Sequence, residues 1–187
     1  FNNKITRNEV ICSGVDKSAE GGGVACESLG ELDVLSFYNN EITHNSGSSE
    51  YVYGAGICIY NSHITIKNNN ISYNNATGIR TYGSGIRFMF ISGDVLVENN
   101  TFQSNHHQSD TVAMGVVNLR GILNPDADVR LINNSFTNNS VSPGTYFGWA
   151  PATTVANSMD TRVIVDGNFI SGHTGERAGG IYLWNAY

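Results

Sequence analysis

Proline and cysteine are scarce in this chain, with three of each in 187 residues. Charge is scarce too: Asp, Glu, Lys and Arg together make up 14% of the residues. Each shortage excludes something. Three cysteines (Cys12, Cys26 and Cys58) cannot all pair within one chain, and no Cys-x-x-Cys or Cys/His spacing suggests zinc. They read as small buried apolar residues, with Cys26 and Cys58 placed so that they could stack on each other. Ten basic against 16 acidic residues give a net charge of -6, which offers no broad basic surface to nucleic acid or an anionic membrane. No apolar run approaches the roughly 20 residues that cross a bilayer. No signal peptide is in view, and the first residue is Phe1. A disordered chain would combine little hydrophobicity with much charge; here 40% of residues are hydrophobic, so a core can form.

Asparagine and glycine are abundant, at 24 and 21 residues. Both favour tight bends, because both enter the left-handed backbone region readily. They recur in one pattern. Two apolar residues two apart lead into Asn-Asn, then any residue, then Ile or Phe, then Asn three positions on. The copies begin at Phe1-Asn2-Asn3, Phe37-Tyr38-Asn39-Asn40, Ile66-Lys67-Asn68-Asn69, Val97-Glu98-Asn99-Asn100 and Leu131-Ile132-Asn133-Asn134, and the last reads Val165-Asp166-Gly167-Asn168. Gly167 stands where the other copies have the first Asn, so that column predicts one left-handed bend repeated in every copy. The apolar anchors are Ile5, Ile42, Ile71, Phe102, Phe136 and Ile170.

A second element precedes each motif: glycine followed by alternating apolar residues, as in Gly54-Ala55-Gly56-Ile57-Cys58-Ile59 and Gly83-Ser84-Gly85-Ile86-Arg87-Phe88. Short period-2 alternation predicts strands. The pairs Leu35/Phe37, Ile64/Ile66, Val95/Val97, Val129/Leu131 and Val163/Val165 supply another strand per repeat. The expectation is an all-β solenoid of about five coils, each with three short strands stacked into parallel sheets. The Asn that closes each motif (Asn45, Asn74, Asn105, Asn139) should form a buried amide ladder, which His173 interrupts in the last copy. A repeat of this length also occurs in ankyrin and tetratricopeptide arrays, but their 3.6-residue periodicity is missing; leucine-rich repeats need more than the eight Leu present.

The coil resembles the right-handed parallel β-helix superfold of pectate lyase-like enzymes, phage tailspikes and bacterial surface adhesins. Phe102-Gln103-Ser104-Asn105 and Phe136-Thr137-Asn138-Asn139, joined to Gly-Gly-x-Ile-type strands, are also similar to repeats of polymorphic outer-membrane proteins and autotransporter passengers. The resemblance covers essentially the whole chain. It implies a right-handed β-helix from an extracellular or cell-surface protein, and leaves function open, because the fold hosts many. Neither end carries a recognisable cap, so residues 1–187 are expected to be one β-helix segment of a longer protein, or one closed by a partner.

Alternation also nominates a face. After the glycines, one column pointing away from the coil reads Ala25, Cys58, Arg87, Asn118, Thr154, Tyr182. The next reads Glu27, Tyr60, Met89, Arg120, Ala156, Trp184. Aromatic rings stack on sugar faces, while Arg and Asn bond hydroxyls and carboxylates. Tyr60, Arg87, Asn118, Arg120, Tyr182 and Trp184 are therefore the candidate glycan-binding residues, set against the plainer reading of ordinary exposed sheet positions. The favoured function is a structural or adhesive module that binds glycans or neighbouring subunits through its long face or its open ends. The rival is a segment of a polysaccharide lyase or glycoside hydrolase. A lyase would need clustered carboxylates for calcium, and a hydrolase Asp pairs on adjacent coils; neither pattern stands out, so no catalytic residue and no cofactor are assigned. Glu98 and Asp166 share a column but lie two coils apart. His106-His107 reads as a loop pair, since neighbours on a strand point to opposite faces and chelate poorly. The Asn-x-Ser/Thr sequons at Asn70, Asn75, Asn99, Asn133 and Asn138 are by-products of the repeat that a eukaryotic secretory route could glycosylate. The long stretch from Ser140 to Ala152, with Tyr146, Phe147 and Trp149, is expected to be a hydrophobic loop packed over the coil or against a partner.

Overall fold

The fold is seen in a computed structural model that describes residues 1–27, 34–60, 63–142, 147–149, 151–156, 161–175 and 179–184. Every regular element among them is a β-strand, and every named pairing is parallel. The chain winds into about five coils, whose strands stack into four sheets. The first sheet carries the strands after the glycines: Val24–Cys26, Ile57–Tyr60, Ile86–Ile91, Val117–Ile122, Thr153–Ala156 and Ile181–Trp184. The second holds Val34–Tyr38, His63–Lys67, Val95–Glu98, Asp128–Ile132 and Arg162–Asp166. The third holds Lys4–Thr6, Glu41–Thr43, Asn70–Ser72, Thr101–Gln103, Ser135–Thr137 and Phe169–Ser171.

The fourth sheet is an addition to the three strands expected per coil. Its long members are Asn75–Tyr82 and His106–Met114, flanked by Glu9–Ile11, Ser46–Ser48 and Ser140–Val141 at one half. Ser18–Glu20, Tyr51–Tyr53 and Phe147–Trp149 pair at the other half. The stretch after Ser140, read as a loop, therefore contributes two strands to this sheet; Phe147–Gly148–Trp149 runs in register with Val112–Ala113–Met114. Tyr146 lies outside the described residues. His106 and His107 are likewise on a strand rather than in a loop.

Registers follow the sequence columns. Ile5 pairs Ile42, Ile42 pairs Ile71, and Phe102 pairs Phe136, which pairs Ile170. The Phe102 and Phe136 rings stack with centroids 4.8 Å apart. These anchors join Ile57, Ile59, Ile64, Ile66, Ile86 and Phe88 in one continuous core. Burying a side chain of this kind contributes roughly 1.5–3 kcal/mol. Cys26 and Cys58 do not stack: Cys26 pairs Ile59 while Cys58 pairs Ala25. All three thiols are free.

Three columns of left-handed residues turn each coil. Asn2, Asn39, Asn68, Asn99 and Asn133 have φ between 53° and 58°, and Gly167 joins them at 61°, as its column predicts. A second column was not legible: Arg7, His44, Tyr73, Ser104, Asn138 and Gly172 are also left-handed, immediately before each ladder position. The third is all glycine: Gly21, Gly54, Gly83 and Gly115.

Two amide ladders, not one, run along the axis. Asn40, Asn69, Asn100 and Asn134 form the first, and Asn45, Asn74, Asn105 and Asn139 the second, all buried. In each step the backbone N–H and the side-chain NH2 of one Asn both donate to Oδ1 of the next coil's Asn, as in Asn40 to Asn69 at 2.8 and 2.9 Å. The NH2 also donates to a strand carbonyl, such as Asn74 Nδ2 to Ile42 O at 3.0 Å. His173 does not break the second ladder so much as end it, because its Nδ1 accepts the Asn139 backbone N–H at 3.1 Å.

A candidate ligand-binding cleft at the concave corner

The all-glycine column sets the site. After Tyr53 and Tyr82 the chain turns at Gly54 and Gly83, with φ of 65° and 67°, and enters the first sheet. A Cβ on Gly83 would lie 2.2 Å from the Ile86 carbonyl oxygen, so no other residue fits the bend without a shift. The corner faces the outer sides of the first and fourth sheets toward each other. Alternation in the first sheet then puts Ile86 and Phe88 into the core and Arg87 on the corner side.

Arg87 is 1% exposed, so the expectation of an open outward column fails at this residue. Tyrosines of the facing sheet cover it: its Cζ lies 5.0 Å from the Tyr82 ring centroid and 5.8 Å from that of Tyr53. The two rings stack with centroids 5.5 Å apart. Asn118, its partner on the next coil, and Thr154 beyond it are fully buried, so they too are not surface residues. Among the described residues, Arg87 Nε and Nη1, both amide atoms of Asn118 and Thr154 Oγ1 have no hydrogen-bond partner. The corner thus holds a row of unsatisfied polar groups on three successive coils, spaced by the ~4.8 Å of a parallel sheet.

Beside this row opens a cleft of about 410 Å³ lined by Tyr53, Tyr82, Arg87, Met89, Phe90, Arg120 and Gly121. Phe90 and Gly121 occupy matching positions in neighbouring strands, and both are left-handed, with φ of 54° and 74°. A left-handed phenylalanine is strained, and such strain concentrates at functional positions. The Phe90 ring is 52% exposed at the cleft.

Of the six residues nominated from sequence, Arg87 and Arg120 line the cleft. Tyr60 shares the Met89 and Arg120 column, but its hydroxyl is engaged with Glu20, and burial, then Cys58, raises its pKa. Burial pushes the Cys58 thiol up to about 12, so it stays protonated and is no nucleophile at neutral pH. Tyr182 and Trp184 share these columns on the last described strand, three coils beyond Arg87 and two beyond Arg120. Tyr53, Tyr82 and Phe90 were missed, although the strings Tyr53-Gly54-Ala55-Gly56 and Tyr82-Gly83-Ser84-Gly85 repeat in register and mark one wall. Burial lowers the Arg87 pKa to about 10, with Arg120 adding to the effect; the side chain is still cationic at pH 7. Among the described residues no group of three or more His, Cys, Asp or Glu could hold a metal ion, and no helix is long and apolar enough to cross a membrane. The arrangement can therefore stack a flat ligand on aromatic rings and offer it cationic donors.

A family model described as a right-handed beta helix region matches residues 1–187. No curated protein and no solved structure matches the chain.

Proposed function

The chain belongs to the right-handed β-helix family, and from that premise we propose that it is a binding module of an extracellular or cell-surface protein, holding a glycan in the corner cleft. One observation carries the reading: stacked tyrosines, an exposed phenylalanine and two arginines converge on a single concave site. Aromatic faces pack against the CH surfaces of sugar rings, and the charged groups supply orientation. Residues 1–187 would then serve as one segment of a longer adhesive or structural protein, with neighbouring coils or subunits meeting its ends.

The rival reading is a polysaccharide lyase, in which the small neutral fraction of Arg87, its pKa drawn down to about 10, takes a proton from the sugar. A glycan-array screen of the chain, run beside a uronate-polymer lyase assay, separates the two. The binding reading expects retention of particular glycans without turnover. It also expects Arg120→Ala and Phe90→Ala to weaken retention about tenfold each while leaving the melting temperature unchanged. Turnover that disappears in Arg87→Met would overturn it in favour of the lyase, and no retention of any glycan would leave the cleft without its proposed ligand.

A further inference from the structure

We infer that the closed corner behind the cleft is a structural anion site, in which a monatomic halide ion sits between Arg87 and Asn118 as counter-ion to the buried guanidinium. The inference does not depend on what the cleft itself holds. Arg87 is 1% exposed, and a buried charge is costly unless something pairs with it. Among the described residues the ion pairs are Lys4–Glu41, Lys67–Glu98, and Asp128 with Arg130 and Arg162; none includes Arg87. After burial, the groups that act most on its charge are Cys58, Arg120, Tyr82 and Tyr53, none of them a carboxylate. Glu20 pairs with Tyr53 in the fourth sheet, but its carboxylate is engaged by Ser18 Oγ at 3.1 Å and by the Tyr60 hydroxyl. Cys58, the register partner of Arg87 on the preceding coil, stays a neutral thiol at pH 7, because burial pushes its pKa up to about 12. The described residues therefore leave the guanidinium without a counter-charge, in a chain whose net charge is -6.

The enclosure of the donors selects the ligand. The Tyr53 and Tyr82 rings cover the guanidinium and hold its face without using its N–H groups, and Nε and Nη1 have no partner among the described residues. Asn118 is the register partner of Arg87 on the next coil; it is fully buried, and its Nδ2 is unpaired too. Their backbones lie one strand spacing apart, ~4.8 Å, so both side chains can reach one small ion, and no sugar ring fits between them. A neutral water would meet the donors and leave the charge uncompensated, whereas an anion meets both needs. With Nδ2 turned to the ion, Asn118 Oδ1 is left for the hydroxyl of Thr154, its unpaired neighbour one coil further on. The cleft of about 410 Å³, which Arg87 helps to line, gives the ion its route of exchange. Held there, the ion ties two successive coils to the tyrosine wall of the facing sheet.

The test is thermal unfolding of the 187-residue chain at fixed ionic strength, with sodium chloride replaced stepwise by sodium methanesulfonate, whose anion is too bulky for the enclosed position. Chloride should raise the wild-type melting temperature saturably, by at least about 3 °C, as a ligand bound only by the folded state does. Bromide should do the same. Arg87→Met, which removes the charge and keeps the bulk, should melt at one temperature in both salts. Asn118→Leu keeps the charge and loses one donor, so it should need about tenfold more chloride to reach half of the effect. Chloride-35 NMR of wild type gives a second readout that needs no variant: the resonance should broaden with protein and sharpen when bromide competes. If Arg87→Met fails to fold, Asn118→Leu and the NMR titration decide. Equal wild-type melting in chloride and methanesulfonate would overturn the inference, as would a chloride resonance that stays narrow. A chloride effect that survives in Arg87→Met would place the ion elsewhere and overturn it as well. None of these arms contains a sugar, so the glycan reading of the cleft stands or falls separately.

Discussion

Oδ1 of Asn105 accepts two hydrogen bonds from Asn74, one from its backbone N–H at 3.0 Å and one from its side-chain NH2 at 3.1 Å. Asn105 in turn donates its own NH2 to Asn139 Oδ1 on the next coil and to the Ile71 carbonyl on the preceding one. Replacing it with leucine strands several buried polar groups at once, each worth about 1–3 kcal/mol. Asn105→Leu should therefore cost at least about 3 kcal/mol. Gln103→Ala, on the half-buried outer side of the same motif, should stay within about 0.5 kcal/mol. Urea melts of the two variants measure this, and equal shifts would refute the ladder.

Glycine at the corner makes a sharper contrast. Gly83→Ala would force a side chain into a φ of 67° and against the Ile86 carbonyl, whereas Gly179 faces open space. The first should destabilise by several kcal/mol and the second by little, as read by thermal unfolding.

Phe90 and Phe88 should behave in opposite ways although they are two residues apart. Phe88 is in the core, and Phe88→Ala should cost about 3–5 kcal/mol. Phe90→Gly relieves a left-handed backbone that costs a non-glycine residue about 1 kcal/mol and loses only a half-exposed ring. It should leave stability unchanged or raised while weakening ligand retention. A large stability loss in Phe90→Gly would remove the argument that the strain serves the cleft.

Acid should destabilise the coils through histidine. His107 is fully buried; its Nδ1 meets Thr81 Oγ1 at 2.9 Å and its Nε2 accepts the Ser84 N–H at 3.3 Å. Burial, offset in part by Gly115, pushes its pKa down to about 3. The unfolded chain binds this proton near pH 6.5 and the folded chain does not. Stability from this group is thus complete above pH 6.5 and lost as pH falls toward 3. The slope is about 1.4 kcal/mol per pH unit. His106 and His173, also lowered by burial, add to it. His107→Gln should be less stable at pH 7 and show a shallower decline, and an unchanged slope in denaturant melts at pH 4 to 6.5 would exclude His107 as its source.

Much of this fold can be read directly from residue columns. Gly167 beneath five Asn, and the Ile and Phe anchors, report a bend and a buried row because each position accepts few side chains. The second bend escaped because its occupants (Arg7, His44, Tyr73, Ser104, Asn138 and Gly172) share no chemistry: the hydrogen bonds around the following Asn fix that backbone, whatever the side chain. The fourth sheet escaped because its strands differ in length and slip register between Gly78 and Arg80. The same gap misplaced the site. Alternation says that Arg87 points away from the coil interior, which it does. It says nothing about a second wall standing opposite, because that wall depends on the angle made at Gly54 and Gly83.

The ladders also give the solenoid an electrical direction. Its backbone hydrogen bonds alternate: Arg7 donates forward to Thr43, while Ser46 donates back to Asn8. Their dipoles oppose one another and largely cancel along the axis. The side-chain bonds between asparagines do not alternate. From Asn3 to Asn40 and onward to Asn168, and from Asn8 to Asn139, every amide oxygen lies on the later coil and every donor on the earlier one. Two aligned stacks of amides therefore add up, making the two ends chemically unlike. A coil laid on the late side must bring an acceptor, and one laid on the early side must bring donors. A coil added head-to-tail beyond Asn168 would extend the first stack, whereas a head-to-head contact would set like poles together.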